Sequence, residues 1–237
     1  MDGRMTVNYS LEELFSKGKT KVTIFYKGDT DFGTIKRVVQ KVCDNMQQED
    51  DTVTINGKKL EPRHETRVFA FHKPIDTMTT TRDPRGRNTI YDILPPEYRN
   101  LRYVGRLDFK TTGLLLMTND GLLARKLTQP SSKIPRVYLA DVVGNNMSKL
   151  DRARRGMTVD GIKYQPMQIE ILHDRRLRIT ITEGKKNEIR IVLKACGLPV
   201  RTLHRIMYGP VSIKDIPSGK IIELDKKTID ALVKISL

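Results

Sequence analysis

The chain of 237 residues has no tryptophan, two cysteines and an aromatic content of 6%. Cys43 and Cys196 lie far apart and make no CxxC pair, which argues against a disulfide scaffold or a cysteine-built zinc site and points to a reducing compartment. His64, His72, His173 and His204 have no ligand spacing, and neither a Walker loop nor a GxGxxG turn occurs, so neither metal nor cofactor is expected. Scarce aromatics count against a single-strand binder built on many stacking platforms. No apolar run reaches the length of a membrane span. The opening MDGRMTVNYS lacks the apolar core of a signal peptide, and Asp2, Glu12 and Glu13 do not suit a transit peptide. A cytoplasmic protein is expected, with an organelle left open. Internal repeats and low-complexity tracts are absent.

Positive charge is what the chain has in excess, a formal net charge of +15. It is unevenly spread: residues 1–60 carry a net of +1 and residues 61–237 a net of +14. A folded region that basic attracts polyanions, nucleic acid first among them; the alternative is a basic surface kept for solubility. The charge balance changes where Pro62 interrupts any regular element, so the boundary is placed between residues 1–62 and 63–237.

In the first part, Val22–Tyr26 reads as a strand, Thr34–Cys43 as a helix with apolar residues at 35, 38, 39 and 42, and Val53–Ile55 as a strand before an Asn56-Gly57 hairpin turn. In the second, strands are expected at Arg67–Phe71, Arg136–Val143, Gln168–Leu172 and Leu177–Thr182. Asn187 is placed to cap a helix that ends before Gly197. Strands and helices mix without a βαβ rhythm. That predicts an α+β domain around a mixed, mostly antiparallel sheet, with a small N-terminal α/β appendage.

The chemistry concentrates in GRLDFKTTGLLLMTNDG, residues 105–121. Asp108 follows Arg106 in a loop expected to expose it. A buried strand over Leu114–Met117 and a turn that starts a helix at Thr118–Gly121 come next. A lone acid at the mouth of a buried strand, between Arg106 and Lys110, suits a nucleophile meeting a phosphate-bearing substrate. A surface Asp in a polar turn is the commoner reading of such a loop from the residues alone. Upstream, the polar loop Thr77–Asn88 carries Arg82, Arg85 and Arg87, fit for backbone phosphates or for plain solvation.

The motif resembles that of the pseudouridine synthases, most closely the RsuA-type branch that modifies ribosomal RNA: a GRLD box, a polar stretch, a Gly-Leu-Leu strand and a Thr-Asn-Asp-Gly turn. Similarity runs over residues 66–226, including the Lys-Pro, Thr-Thr and Gly-Arg elements near residues 73–87. The resemblance implies the pseudouridine synthase fold and RNA as partner, ribosomal first and transfer RNA second, with no cofactor and a monomeric state. It implies that Asp108 is the nucleophile or the base that assists glycal formation. Tyr138, in RVYLADV, would stack on the uracil, although the strand alone reads it most simply as a core tyrosine. Arg190, in EGKKNEIR, would pair with Asp108. Arg106, Leu203, Arg82, Arg85, Arg87, Lys185 and Lys186 would bind substrate; for Leu203 core packing reads nearly as well. An Arg in the first turn of a helix is badly placed for the helix dipole and is better explained by a carboxylate partner.

Two departures stand out. Glu188 replaces a usual Gln and Ile191 a usual Arg. TVTINGKKL resembles the end of an S4-type RNA-binding domain, but the two basic helices that open one are missing, so residues 1–62 read as a remodelled or replaced S4-like domain. The rival reading is an RNA-binding ribosome-assembly factor that kept the fold and lost catalysis. A hydrolase using Asp108 with Glu183 or Glu188 needs a carboxylate separation that sequence does not fix.

Overall fold

The computed structural model describes residues 21–24, 52–55, 58–60, 65–173 and 175–235. Contacts divide the chain into Met1–Glu65 and Thr66–Leu237. In the first unit, β1 (Lys21–Ile24) pairs in parallel with β2 (Thr52–Ile55), and β2 pairs antiparallel with β3 (Lys58–Leu60). Ile55 opposes Lys58, which leaves two residues for the connection. The expected Thr34–Cys43 helix and the Asn56-Gly57 turn lie outside the described residues, as do Phe25 and Tyr26.

The second unit runs through β4 (Val68–Lys73), α1 (Ile90–Ile93), β5 (Arg102–Val104), β6 (Thr111–Thr118), α2 (Gly121–Thr128), β7 (Arg136–Val142), α3 (Leu150–Arg155), β8 (Met157–Val159) and β9 (Ile162–Tyr164). It continues with β10 (Gln168–His173), β11 (Arg176–Ile181), α4 (Glu188–Ala195), β12 (Val200–Tyr208), β13 (Val211–Ser212), β14 (Ile221–Glu223) and α5 (Lys226–Ile235). Nine strands form one sheet in the order β10-β11-β7-β12-β6-β4-β14, with β5 added beside β6 and β13 beside β12. Its pairs are antiparallel except β6 with β12, so the α+β reading with a mixed, mostly antiparallel sheet holds.

The apolar run of β6 has a simple cause. Leu115 and Met117 face one core, with Phe69, Phe71, Leu177 and Ile179, while Leu114 and Leu116 face the other. A strand buried on both faces carries no polar alternation. On the first face α4 packs Ile189, Val192 and Leu193; on the second α2 packs Leu123 and Leu127, and α5 packs Leu232. Asp120 starts α2 by accepting hydrogen bonds from the Leu122 and Leu123 N–H groups at 2.9 and 3.1 Å.

Asn187 does not cap α4 as expected. It sits at the helix start in a left-handed conformation (φ 54°), and its side chain makes no capping hydrogen bond. Glu188 instead closes the turn ahead of the helix: Lys185 N–H donates to its Oε2 at 3.0 Å while its own N–H donates to the Lys185 carbonyl at 3.2 Å. The helix does stop where expected, at Gly197 (φ 76°), with Leu198 N–H donating to the Leu193 carbonyl at 2.9 Å. Among the described residues no helix is long and apolar enough to cross a membrane.

Candidate active site

The β5–β6 loop carries Asp108 and is pinned on both sides. Before it, the Thr79 hydroxyl donates to the Leu107 carbonyl at 2.9 Å and accepts from Leu107 N–H at 3.3 Å. After it, Thr111 N–H donates to the Asp108 carbonyl at 2.9 Å. Lys73, fully buried at the end of β4, donates from Nζ to the carbonyls of Pro74 at 2.8 Å and Thr111 at 2.9 Å. Burial lowers the Lys73 pKa to about 8, opposed by the negative charges of Asp108 and Asp76. The Asp108 side chain is half-buried rather than exposed, a correction to the sequence reading: Leu107, anchored in the core, draws it inward. Its carboxylate has no hydrogen-bond partner among the described residues.

Strand register assembles the rest. Leu203 of β12 lies beside Thr111 of β6 and Ala140 of β7, and Arg205 lies between Gly113 and Tyr138. Asp108, Tyr138, Leu203 and Arg205 therefore share one cleft of about 450 Å³, within the range of about 300–1,000 Å³ usual for small-ligand sites. Tyr138 and Leu203 are buried, 7% and 5% exposed, and both belong to the core as the strand pattern alone suggested. Arg205 is 2% exposed. Its Nε donates to the Leu114 carbonyl at 2.7 Å and its Nη1 reaches the Tyr138 hydroxyl at 3.5 Å, while Nη2 has no partner.

The far wall of the cleft is the turn Glu183–Glu188. Arg136 holds it by donating to the carbonyls of Thr182 and Glu183 at 3.3 and 3.0 Å. Lys185 forms an ion pair with Glu183 and donates to the Lys163 carbonyl at 2.8 Å, so this predicted substrate contact is engaged within the protein. Lys186 is exposed. Glu188 is 3% exposed, and its Oε1 has no partner. Burial raises its pKa to about 7; Glu183 adds to the rise, and the Lys185 backbone N–H, Lys185 and Arg136 oppose it.

Asp108 also borders a second cleft of about 520 Å³, shared with Arg106, Lys186 and Arg190. The bidentate Arg190–Asp108 pair implied by the resemblance does not form. Arg190 instead donates from Nη1 to the Val200 carbonyl at 3.2 Å and from Nη2 to the Lys110 carbonyl at 3.1 Å, and its buried Nε has no partner. Burial lowers the Arg190 pKa, while the Asp108 charge raises it, so the two groups attract without touching. Arg190 thus grips the backbone two residues past Asp108. Arg82 and Arg85 are exposed in the upstream loop, whereas Arg87 is committed to Asp83 through bonds of 3.0 and 2.8 Å.

Sequence reasoning missed Lys73, Arg136 and Arg205, and it placed Glu188 near the site only as a departure from the family pattern and as a possible second carboxylate. A signal existed for the three cations. Each is a charged residue close in sequence to apolar ones, Phe71, Val137 and Ile206, and a charged residue drawn into such a stretch needs a partner or a function.

The family model described as RNA pseudouridylate synthase matches residues 67–195. An uncharacterized RNA pseudouridine synthase of Rickettsia conorii is 34% identical over 182 residues, covering 75% of this chain and 79% of that protein. The ribosomal large subunit pseudouridine synthase B of Yersinia pestis is 35% identical over 210 residues, covering 82% and 65%. A crystal structure of a pseudouridylate synthase superposes with a TM-score of 0.65 at 28% identity, covering 79% of this chain and 82% of that one. The fold is that of the RNA pseudouridine synthases, enzymes that isomerise uridine. The chain belongs to the RNA pseudouridylate synthase family.

Proposed function

We propose that the chain isomerises a specific uridine in structured RNA, ribosomal RNA before transfer RNA, with Asp108 as the reacting carboxylate. The observation that carries this reading is the convergence of an unpartnered carboxylate, a buried Tyr and a buried Leu on one cleft with cationic walls. The reaction breaks the N1–C1′ bond of uridine and forms a C5–C1′ bond. The C5 proton leaves and N1 gains one, so substrate and product are isomers and no cofactor is consumed. The target base must leave its stack at a cost of a few kcal/mol.

Asp108 attacks the sugar or assists glycal formation. Tyr138 stacks on the freed base, and Leu203 closes the apolar side. Arg190 acts by fixing the Lys110 carbonyl, and with it the Asp108 loop, and by attracting the Asp108 carboxylate. Arg106 and Lys186, which border both clefts, and exposed Arg82 and Arg85 supply phosphate contacts. Arg87 and Lys185 support them from within, by bracing the loop and turn that carry these cations. The protein acts as a cytoplasmic monomer, with residues 1–62 a remodelled or replaced S4-like domain.

Pseudouridine mapping of RNA from cells with and without the gene tests the proposal. One ribosomal site that disappears and returns with the restored gene is the expected result. Unchanged modification would support the assembly-factor alternative.

A further inference from the structure

We infer that Glu188 is a substrate-contacting residue of the cleft: its neutral carboxyl donates from Oε1 to a carbonyl oxygen of the pyrimidine held above Asp108, and its ionisation weakens that grip. The inference rests on the synthase reading above and adds a residue to it.

Geometry leads to this role. Glu188 opens α4, and its Oε2 is occupied by the Lys185 N–H at 3.0 Å. Because Oε2 already accepts, the proton of a neutral carboxyl belongs on Oε1. That oxygen is buried, has no partner, and belongs to a side chain that lines the same cleft as Asp108 and Tyr138. A buried polar atom without a partner costs free energy unless a ligand satisfies it. A neutral carboxyl is a donor there, and a pyrimidine carbonyl is the acceptor that a uridine site must bring. A phosphate fits less well, since ionisation of the same group would oppose it.

The charges around Glu188 fix the direction of the pH effect. Arg136 from β7 and Lys185 from its own turn favour the ionised form, and Glu183 opposes it. Arg106, Lys186 and Arg205 line the same cleft and add positive potential, while Asp108 adds a second negative charge. Tyr138 and Tyr208 line the cleft as well. Burial dominates this set and keeps the carboxyl protonated up to about pH 7.

The test compares wild type with Glu188→Gln, which keeps a donor near Oε1 and cannot ionise. The readouts are kcat/KM and RNA affinity from about pH 5.5 to about pH 8.5, since kcat/KM reports ionisations of the free enzyme. Relative to Glu188→Gln, wild-type kcat/KM should fall about tenfold per pH unit above about pH 7, close to 30-fold at the upper end. Affinity for a uridine-containing RNA should weaken in step. Parallel profiles for the two proteins would overturn the inference, as would a wild-type rate that rises where Glu188 ionises. If neither protein turns over RNA, the synthase reading fails. The affinity profiles then still decide the role of Glu188, because equal pH dependence of binding would overturn it.

Discussion

Gly113→Ala should be among the most damaging single-methyl additions in the catalytic unit. Gly113 sits in β6 with φ of +107°, where an L residue is strained. A Cβ there would lie 2.3 Å from the Arg205 carbonyl oxygen, 2.7 Å from its nitrogen and 2.9 Å from its carbonyl carbon. The obstacle is backbone, so no side chain can swing away. Retreat is blocked as well, because Gly113 pairs with Arg205 of β12 on one edge and Lys73 of β4 on the other. Left-handed strain of about 1–2 kcal/mol and overpacking of about 1–3 kcal/mol give a loss of about 2–5 kcal/mol. At about 2–4 °C per kcal/mol for a unit of this size, the melting temperature should fall by roughly 4–20 °C. Because Gly113 and Arg205 join β6 to β12, the variant should also lose activity below its melting temperature as Leu203 and Arg205 shift against Asp108. Calorimetry of the full chain with a parallel turnover assay reads both. An unchanged melting temperature would refute the packing argument.

Glu188→Gln should also raise stability without any RNA present. The folded pKa of about 7 lies above the ordinary value of 4.5. The group's contribution is therefore fully present below about pH 4.5 and is lost as pH rises through about 7. The variant should gain progressively over that window, by about 2 kcal/mol once solvent reaching the cleft is discounted. Chemical denaturation at two pH values checks it, and a constant difference between the proteins would count against it. Arg82→Ala and Arg85→Ala should each weaken RNA affinity and reduce the salt slope by about one, with unchanged melting. Arg87→Ala should lower the melting temperature as well, because Asp83 then loses its guanidinium partner and keeps only backbone N–H donors.

Much of the sheet was legible because β6 announces itself: an apolar run bounded by a polar loop and a helix-capping Asp can be little else. The paired strands around residues 168–182 and the α4 stop at Gly197 were legible for the same local reasons. What stayed hidden is tertiary. The resemblance made Arg190 the partner of Asp108, and a cation in the first turn of a helix suits a carboxylate, yet its guanidinium donates to the carbonyls of Val200 and Lys110 instead. Asn187 looked like a cap by residue type, but the chain enters the helix through a left-handed residue, and Glu188 closes the turn. The register that sets Leu203 beside Thr111, and so beside the Asp108 loop, depends on a parallel pairing between segments about ninety residues apart, which no local pattern encodes.

The central claim is that Asp108 isomerises uridine. Tritium release from RNA labelled at uracil C5, with wild type and Asp108→Ala on total cellular RNA, tests it most directly. Release by wild type and none by a folded Asp108→Ala protein is the expected result. Equal release by both, or none by wild type while RNA binding persists, would contradict it.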